Sequence, residues 1–429
     1  MSTVLVAAGA AVRVFLVLCD TIKLLNAQPE IVTTFSSFEN VHEAMFLQSN
    51  GHSPYEGEYF HRMPLILDMF NLIPSQWYPF VFILVDCISA MILFSTCSIM
   101  MSRSGGEENN PFERQMISKV KINSVTGANQ WGYIDYLGTF DVNPQDAPSL
   151  VAVAFLFNPF ILLCCGVMNL NSLAFVLGIF ALNRTLSSGD YVTSALAFSL
   201  AVYLDIHYIF LILPLSFQLL QDRSTKALFF ILLTTAFYSL LLLKSCEDIR
   251  TCTYQGYFKV MQLEDLSPNI GLWWYFFIEM FPQFSKMFLF LFLLAPLVYM
   301  LPLASSLYDR PMFLGHVMLI IIHTQGPYPD FFGVGLLSSL IFMHPYAVKR
   351  MSLLVPAMLI CVGTCFLLPV MRTMWLHAGS GNANYYYFQT LFLQFCISFL
   401  TLQFIRGGML RNIYIDVFKK ALGAPKKAQ

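Results

Sequence analysis

Charge is the scarcest property of this 429-residue chain. Asp, Glu, Lys and Arg make up 11% of it, against roughly 25% in a soluble globular protein. With 57% hydrophobic residues, that scarcity excludes an ordinary soluble domain. Lys plus Arg (24) nearly cancels Asp plus Glu (25), so no basic surface for nucleic acid is implied. Ten cysteines are scattered along the chain without the Cys-X-X-Cys or Cys/His spacing of a zinc site. Neither a metal nor another cofactor is therefore expected. Most of these cysteines lie inside apolar runs, where the thiol acts as a small hydrophobe. The first apolar run has no small-residue cleavage site and carries Arg13 and Asp20, so it reads as a retained helix, not a cleaved signal. No internal repeat is evident, and a transporter or flippase is then favoured only by span count.

What is abundant is apolar sequence. A helix crosses the hydrocarbon in about 20 residues, and the runs 4–25, 77–101, 150–167, 227–243, 287–303, 353–374 and 388–405 fit that length. Shorter or interrupted runs cover 171–184, 191–204, 208–220, 312–324 and 331–343, which predicts helices surrounded by protein, some of them broken. The expectation is an all-α polytopic membrane protein, a single transmembrane domain over 1–429 with about 12 spans and short interfacial helices.

Cations fix an orientation. With a cytosolic amino terminus, the cytosolic side receives 102–149, 222–226, 304–311, 344–352 and the tail after 405. These segments hold Arg103, Arg114, Lys119, Lys121, Arg223, Lys226, Arg310, Lys349 and Arg350, with further cations in the tail. The opposite segments, 26–76, 246–270 and 375–387, hold only Arg62, Arg250 and Lys259. The bias predicts both termini in the cytosol. Residues 102–149 are a polar cytosolic insert opening SRSGGEENNP, a loop composition without a motif. The cytosolic tail 406–429 places Lys426 and Lys427 third and fourth from the end, a dilysine address for return to the endoplasmic reticulum.

Three polar stretches fall on the side expected to be lumenal. The loop 26–76 contains Tyr55, Glu56, Glu58 and His61 between the turn formers Pro54 and Gly57 and the Pro64 that follows. The segment 246–281, a loop followed by a short helix, contains Asn269, Trp273, Tyr275 and Glu279. The loop 375–387 contains Asn382 and Asn384 running into Tyr385, Tyr386 and Tyr387. Amides pair with hydroxyls and aromatic faces cover the apolar faces of sugars, although aromatics here also fit an interfacial belt. Cys246 and Cys252 are a candidate disulfide, provided their loop faces an oxidising compartment. Asp86, inside an apolar run, reads as a packing partner, and Asp205 with His207 as a polar pocket. His316 and His323 read as core histidines. No signature of a Cys or Ser nucleophile with a positioned His surrounds Cys246, Cys252, His52, His61 or His377.

Four blocks in order, HSPYEGEYFHRMPLI, FNPFILLCC, SPNIGLWWYFFIEMF and HAGSGNANYYYF, closely resemble the PIG-U family of glycosylphosphatidylinositol (GPI) transamidase subunits. That family is in turn similar to the GT-C mannosyltransferases of GPI assembly, such as PIG-M. The resemblance implies a GT-C-like helix bundle in the endoplasmic reticulum membrane. It also implies partner subunits, among them a caspase-like catalytic one, and a role in binding the GPI glycolipid. An active mannosyltransferase is the alternative. Against it, the register of Ser53-Pro54-Tyr55 puts Phe35-Ser36-Ser37 where those enzymes carry acids. Residues 166–171, Gly-Val-Met-Asn-Leu-Asn, also lack their arginine.

One helix over 271–303 would be roughly 50 Å long, well beyond an approximately 30 Å core. Pro282 is therefore expected to break it, leaving a short helix at the lumenal interface. On that helix Trp273 and Trp274 would anchor at the interface while Glu279 faces Asn382–Asn384. Asn269, Glu279, Asn382 and Asn384 would line the mouth of a GPI cavity, surrounded by membrane lipid, with Tyr55, His61, Trp273 and Tyr275 as further contacts.

Overall fold

The computed structural model describes residues 3–19, 25, 28–57, 59–108, 142–262 and 265–421, and side chains at all of these except 104–108 and 411–421. Most of the 102–149 insert, and Lys426 with Lys427, lie outside the described residues. Helices joined by turns account for the described chain, and it contains no strand. A backbone passing through hydrocarbon must satisfy its own hydrogen bonds, and helices do so within one segment.

The apolar runs named above are mostly helical over their described residues, but the helices divide by length. Ser75–Arg103, Ser224–Ser245, Pro282–Ser306, Leu354–Leu376 and Ala383–Leu410 are long and apolar enough to cross a membrane. Ala147–Leu156 and Pro159–Gly166 form a sixth such unit, bent by 45°. The bend follows from Asn158-Pro159. Proline cannot donate to the preceding turn, and Asn158 caps the second half by accepting from the Phe160 N–H at 3.0 Å. Shorter apolar helices are Thr3–Leu18, Tyr191–Leu204, Ile206–Asp222, Pro311–Thr324 and Phe331–Met343. Pro311–Thr324 is buried at nearly every position, as a helix enclosed by other helices requires.

Alternation of helices brings 28–77, 167–170, 246–272, 325–330 and 377–382 to one end of the bundle. Hydrogen bonds tie these loops together: Leu170 N–H to Ser36 O at 2.9 Å, Phe331 N–H to Glu30 O at 2.8 Å, and Tyr328 Oη–H to Asp265 O at 2.9 Å. The opposite end carries the Arg184–Asp190 ion pair at 3.0 Å, the Asp222–Lys226 pair and the Gln221 amide bond to Asp309 O at 3.2 Å. Inside the bundle, Arg13 Nε meets Asp86 Oδ2 at 2.9 Å, both side chains buried. Arg13 also donates to Leu156 O at 2.7 Å. Arg13 thus holds the first helix against two others, and either buried charge without its partner would be costly.

Candidate functional site

The loop end of the bundle holds two adjoining cavities that share Thr33 and Tyr328. The first, about 80 Å³, is lined by Ser36, His61, Arg62, Asn171, Asp205 and His207, among others. The second, about 150 Å³, is lined by residues of 29–34 and 265–269 together with Tyr328, Arg372 and Leu376.

The walls of the first cavity come from chain reversals. Asp205 ends the Tyr191–Leu204 helix in extended backbone, and its carboxylate accepts from the His207 backbone N–H at 3.0 Å. The same carboxylate meets His207 Nδ1 at 2.8 Å. Arg62 spans three segments: it donates to Phe35 O at 2.9 Å, to Leu204 O at 2.9 Å and to Asn171 Oδ1 at 3.4 Å. Another wall is a π-helical turn, Tyr254–Phe258, an irregularity that often marks functional positions.

Behind these groups lies Asp330, 1% exposed. Its Oδ2 accepts from the amides of Asn169 at 2.7 Å and Asn171 at 2.9 Å, and its Oδ1 caps the next helix at Phe332. Burial pushes its pKa up to about 6, with Asn169, Ser36 and two backbone N–H groups pulling the other way. Glu30 is fully buried, and burial raises it also, opposed by the bond from Tyr386 and the charge of Arg372.

The sequence-predicted residues do not form one cluster. His61 lines the first cavity and Asn269 the second. Asn269 Oδ1 accepts from Gly271 N–H at 2.7 Å. Gly271 is required there, because a Cβ would stand 2.8 Å from Pro329. Tyr55 donates to Arg62 O at 3.0 Å and so supports the wall from behind. The helix Trp273–Glu279 ends in extended backbone at Met280, and Pro282 opens the next helix. On it, Tyr275 donates to Asn384 and stacks on Tyr387 at 4.2 Å. Glu279 is exposed and lies near Tyr275, and it is Tyr275 whose hydroxyl meets the 382–384 loop. Asn382 is exposed and accepts from Tyr385 N–H, as a helix cap. Trp273 and Trp274 are buried, not spread along an interface. Trp273 packs edge-on to Phe292, while Trp274 stacks near Trp375 and Tyr386. Each ring finds more apolar partner surface inside than a headgroup layer offers. Cys246 and Cys252 are joined as a disulfide that closes the loop leading into the π-helical turn.

Asp330, Asn169 and Arg372 were not among the predicted site residues. Asp330 stands 161 residues from Asn169, and no local spacing marks such a contact. The one available signal is a carboxylate just before the apolar run 331–343, a position that ordinarily caps a helix.

The family model described as GPI transamidase subunit PIG-U matches residues 7–393 of the chain. The GPI-anchor transamidase component PIGU of Cricetulus griseus is 27% identical over 410 residues, covering 91% of this chain and 89% of that protein. The Homo sapiens protein of the same name is 26% identical over 402 residues, covering 89% and 88%. The GPI transamidase component GAB1 homolog of Schizosaccharomyces pombe is 27% identical over 415 residues, covering 92% and 90%.

Proposed function

The chain belongs to the PIG-U family of GPI transamidase subunits, and on that premise we propose that it binds the GPI glycolipid and presents it to a separate catalytic subunit. The reaction attaches the anchor to the carboxyl end of proteins in the endoplasmic reticulum. In this reading both termini are cytosolic, the cavity end is lumenal, and the catalytic Cys/His pair belongs to a caspase-like partner.

The observation that carries the reading is the pairing of a polar cavity end with long apolar helices around it. A glycolipid needs both surfaces, polar groups for its glycan and hydrocarbon for its tails. Asn269 at the second cavity, and Tyr275 with Asn384 beside it, supply the hydroxyl and amide groups for a glycan. A non-catalytic role is supported at Ser36, the place where the related mannosyltransferases are expected to carry an acid. Its hydroxyl lies 3.1 Å from Thr33 Oγ1 and 3.4 Å from the Asn169 amide, and it offers no charge. The nearby carboxylates of Asp205 and Asp330 are already bound to His207 and to two asparagines.

The test is the double variant Asn382→Ala with Asn384→Ala, and Glu279→Gln, in cells lacking the native copy. Surface GPI-anchored protein and recovery of the complex are measured together. Lost anchoring with an intact complex supports glycolipid contact. Loss of both assigns these residues to assembly, and full anchoring in every variant removes them from the site.

A further inference from the structure

The second cavity is lined by charges of both signs, on different segments of the chain. Asp265 comes from the 246–272 loop and Arg372 from the Leu354–Leu376 helix. Hydroxyl and amide groups of Thr34, Ser267 and Asn269 complete its polar lining. The loop wall is built in place: Asp265 Oδ1 accepts from Ser267 N–H at 2.8 Å, its Oδ2 accepts from Thr34, and Tyr328 holds the Asp265 carbonyl. On the other wall Arg372 donates to Gln28 Oε1 at 2.9 Å, which fixes the guanidinium at the cavity edge. The mouth opens beside Ser267 and Leu376, both exposed. A separated carboxylate and guanidinium in one small cavity match a ligand with a separated cation and anion. A guanidinium suits a phosphate fork, and a carboxylate suits a primary ammonium that donates hydrogen bonds.

We infer that this cavity is a phosphoethanolamine site, in which Arg372 faces the phosphate and Asp265 the ammonium. The inference rests on the glycolipid-binding reading above only for one of its two sources. A phosphoethanolamine group is carried by a GPI glycan and also by the phospholipid phosphatidylethanolamine, and the cavity chemistry is the same for both. The first cavity also holds a guanidinium and a carboxylate, but there Arg62 is bonded to three chain segments and Asp205 to His207.

The test uses the full chain in detergent, titrated with three probes: dihexanoyl-phosphatidylethanolamine, dihexanoyl-phosphatidylcholine and a synthetic mannosyl phosphoethanolamine without lipid. Choline cannot donate a hydrogen bond, so the ethanolamine lipid should bind about tenfold more tightly than the choline lipid, the worth of one charge-assisted bond. Asp265→Asn should abolish that preference, weakening the ethanolamine lipid more than the choline lipid, whose cation loses charge attraction but no hydrogen bond. Arg372→Gln should weaken all three probes by about tenfold or more. Equal affinity of the unaltered chain for choline and ethanolamine lipids would overturn the inference without any variant needing to fold. So would a preference untouched by Asp265→Asn. Tighter binding of the mannosyl probe assigns the cavity to the glycan, and tighter binding of the phospholipid assigns it to bulk lipid. In the latter case the site stands while the glycolipid reading loses it. If the ethanolamine preference is missing but the Asn382 and Asn384 variants still lose anchoring with the complex intact, only the present inference falls.

Discussion

Tyr386 donates a 2.9 Å hydrogen bond to Glu30 across 356 residues of chain. The bond fastens the first loop to the last helix behind the second cavity, where Glu30 is fully buried and Tyr386 equally so. Glu30 Oε2 finds no protein donor, so the tyrosine bond is the side-chain hydrogen bond that offsets burial of this carboxyl, with the charge of Arg372 beside it.

Tyr386→Phe should therefore destabilise the chain by about 1–3 kcal/mol, the cost of leaving a buried polar group without its partner. Adding Glu30→Gln should recover part of the loss, because a neutral amide is less costly to bury than a carboxylate. Thermal unfolding in detergent reads both changes. A Tyr386→Phe midpoint equal to that of the unaltered chain would remove the bond from the stability account.

Asp330 should give stability a slope with pH. Its native pKa of about 6 lies above the ordinary 3.8, so the folded chain holds a proton that the unfolded chain releases. Stability from this site is fully present below about pH 4 and is lost as pH rises through about 6, on the order of 2–3 kcal/mol in all. Asp330→Asn should flatten the dependence of the unfolding midpoint between about pH 4 and 6. Glu30 is also raised by burial, adds slope of the same sign and is present in both proteins. Identical slopes in the two proteins would show that Asp330 does not titrate in this window.

The Cys246–Cys252 disulfide should survive alkylation under non-reducing conditions and appear in mass spectrometry as one linked peptide pair. Two freely alkylated thiols would rule it out. Cys246→Ser with Cys252→Ser should cost about 2 kcal/mol, the loop-closure value for so short a ring. The larger effect should be local, because the π-helical turn beside the first cavity follows directly from this loop. Hydrogen exchange should rise over Tyr254–Phe258 before it rises in the long helices.

Helices and their ends were readable from local chemistry. Apolar runs placed the spans, Pro282 placed the break, and the scarcity of cations in three loops gathered those loops at one end. Side-chain facing was less readable. Trp273 and Trp274 sit on a helix of seven residues, too short for periodicity to say which rings turn inward. Glu279 reads as a costly charge among aromatics, yet it needs no distant partner because the helix is peripheral and the side chain exposed. The polar cluster around Asp330 was least readable. Asn169 and Asn171 belong to a stretch that looks like a damaged motif, and their shared acceptor lies 161 and 159 residues away. Only closure of the bundle brings them together.

Short helices beneath the first cavity change where its polar groups sit relative to the bilayer. Tyr191–Leu204 and Pro311–Thr324 have 14 residues each, or about 21 Å of length, whereas the hydrocarbon is approximately 30 Å thick. With their far ends level with one interface, their cavity ends stop about 10 Å short of the other. Asp205, the residue that closes the first of these helices, then lies below the headgroup plane while the longer helices rise past it. In that placement the first cavity would be a well sunk into the membrane, not a platform on top of it. A molecule anchored by lipid tails reaches such a well by moving sideways and tilting its head inward, without lifting its tails out of the bilayer.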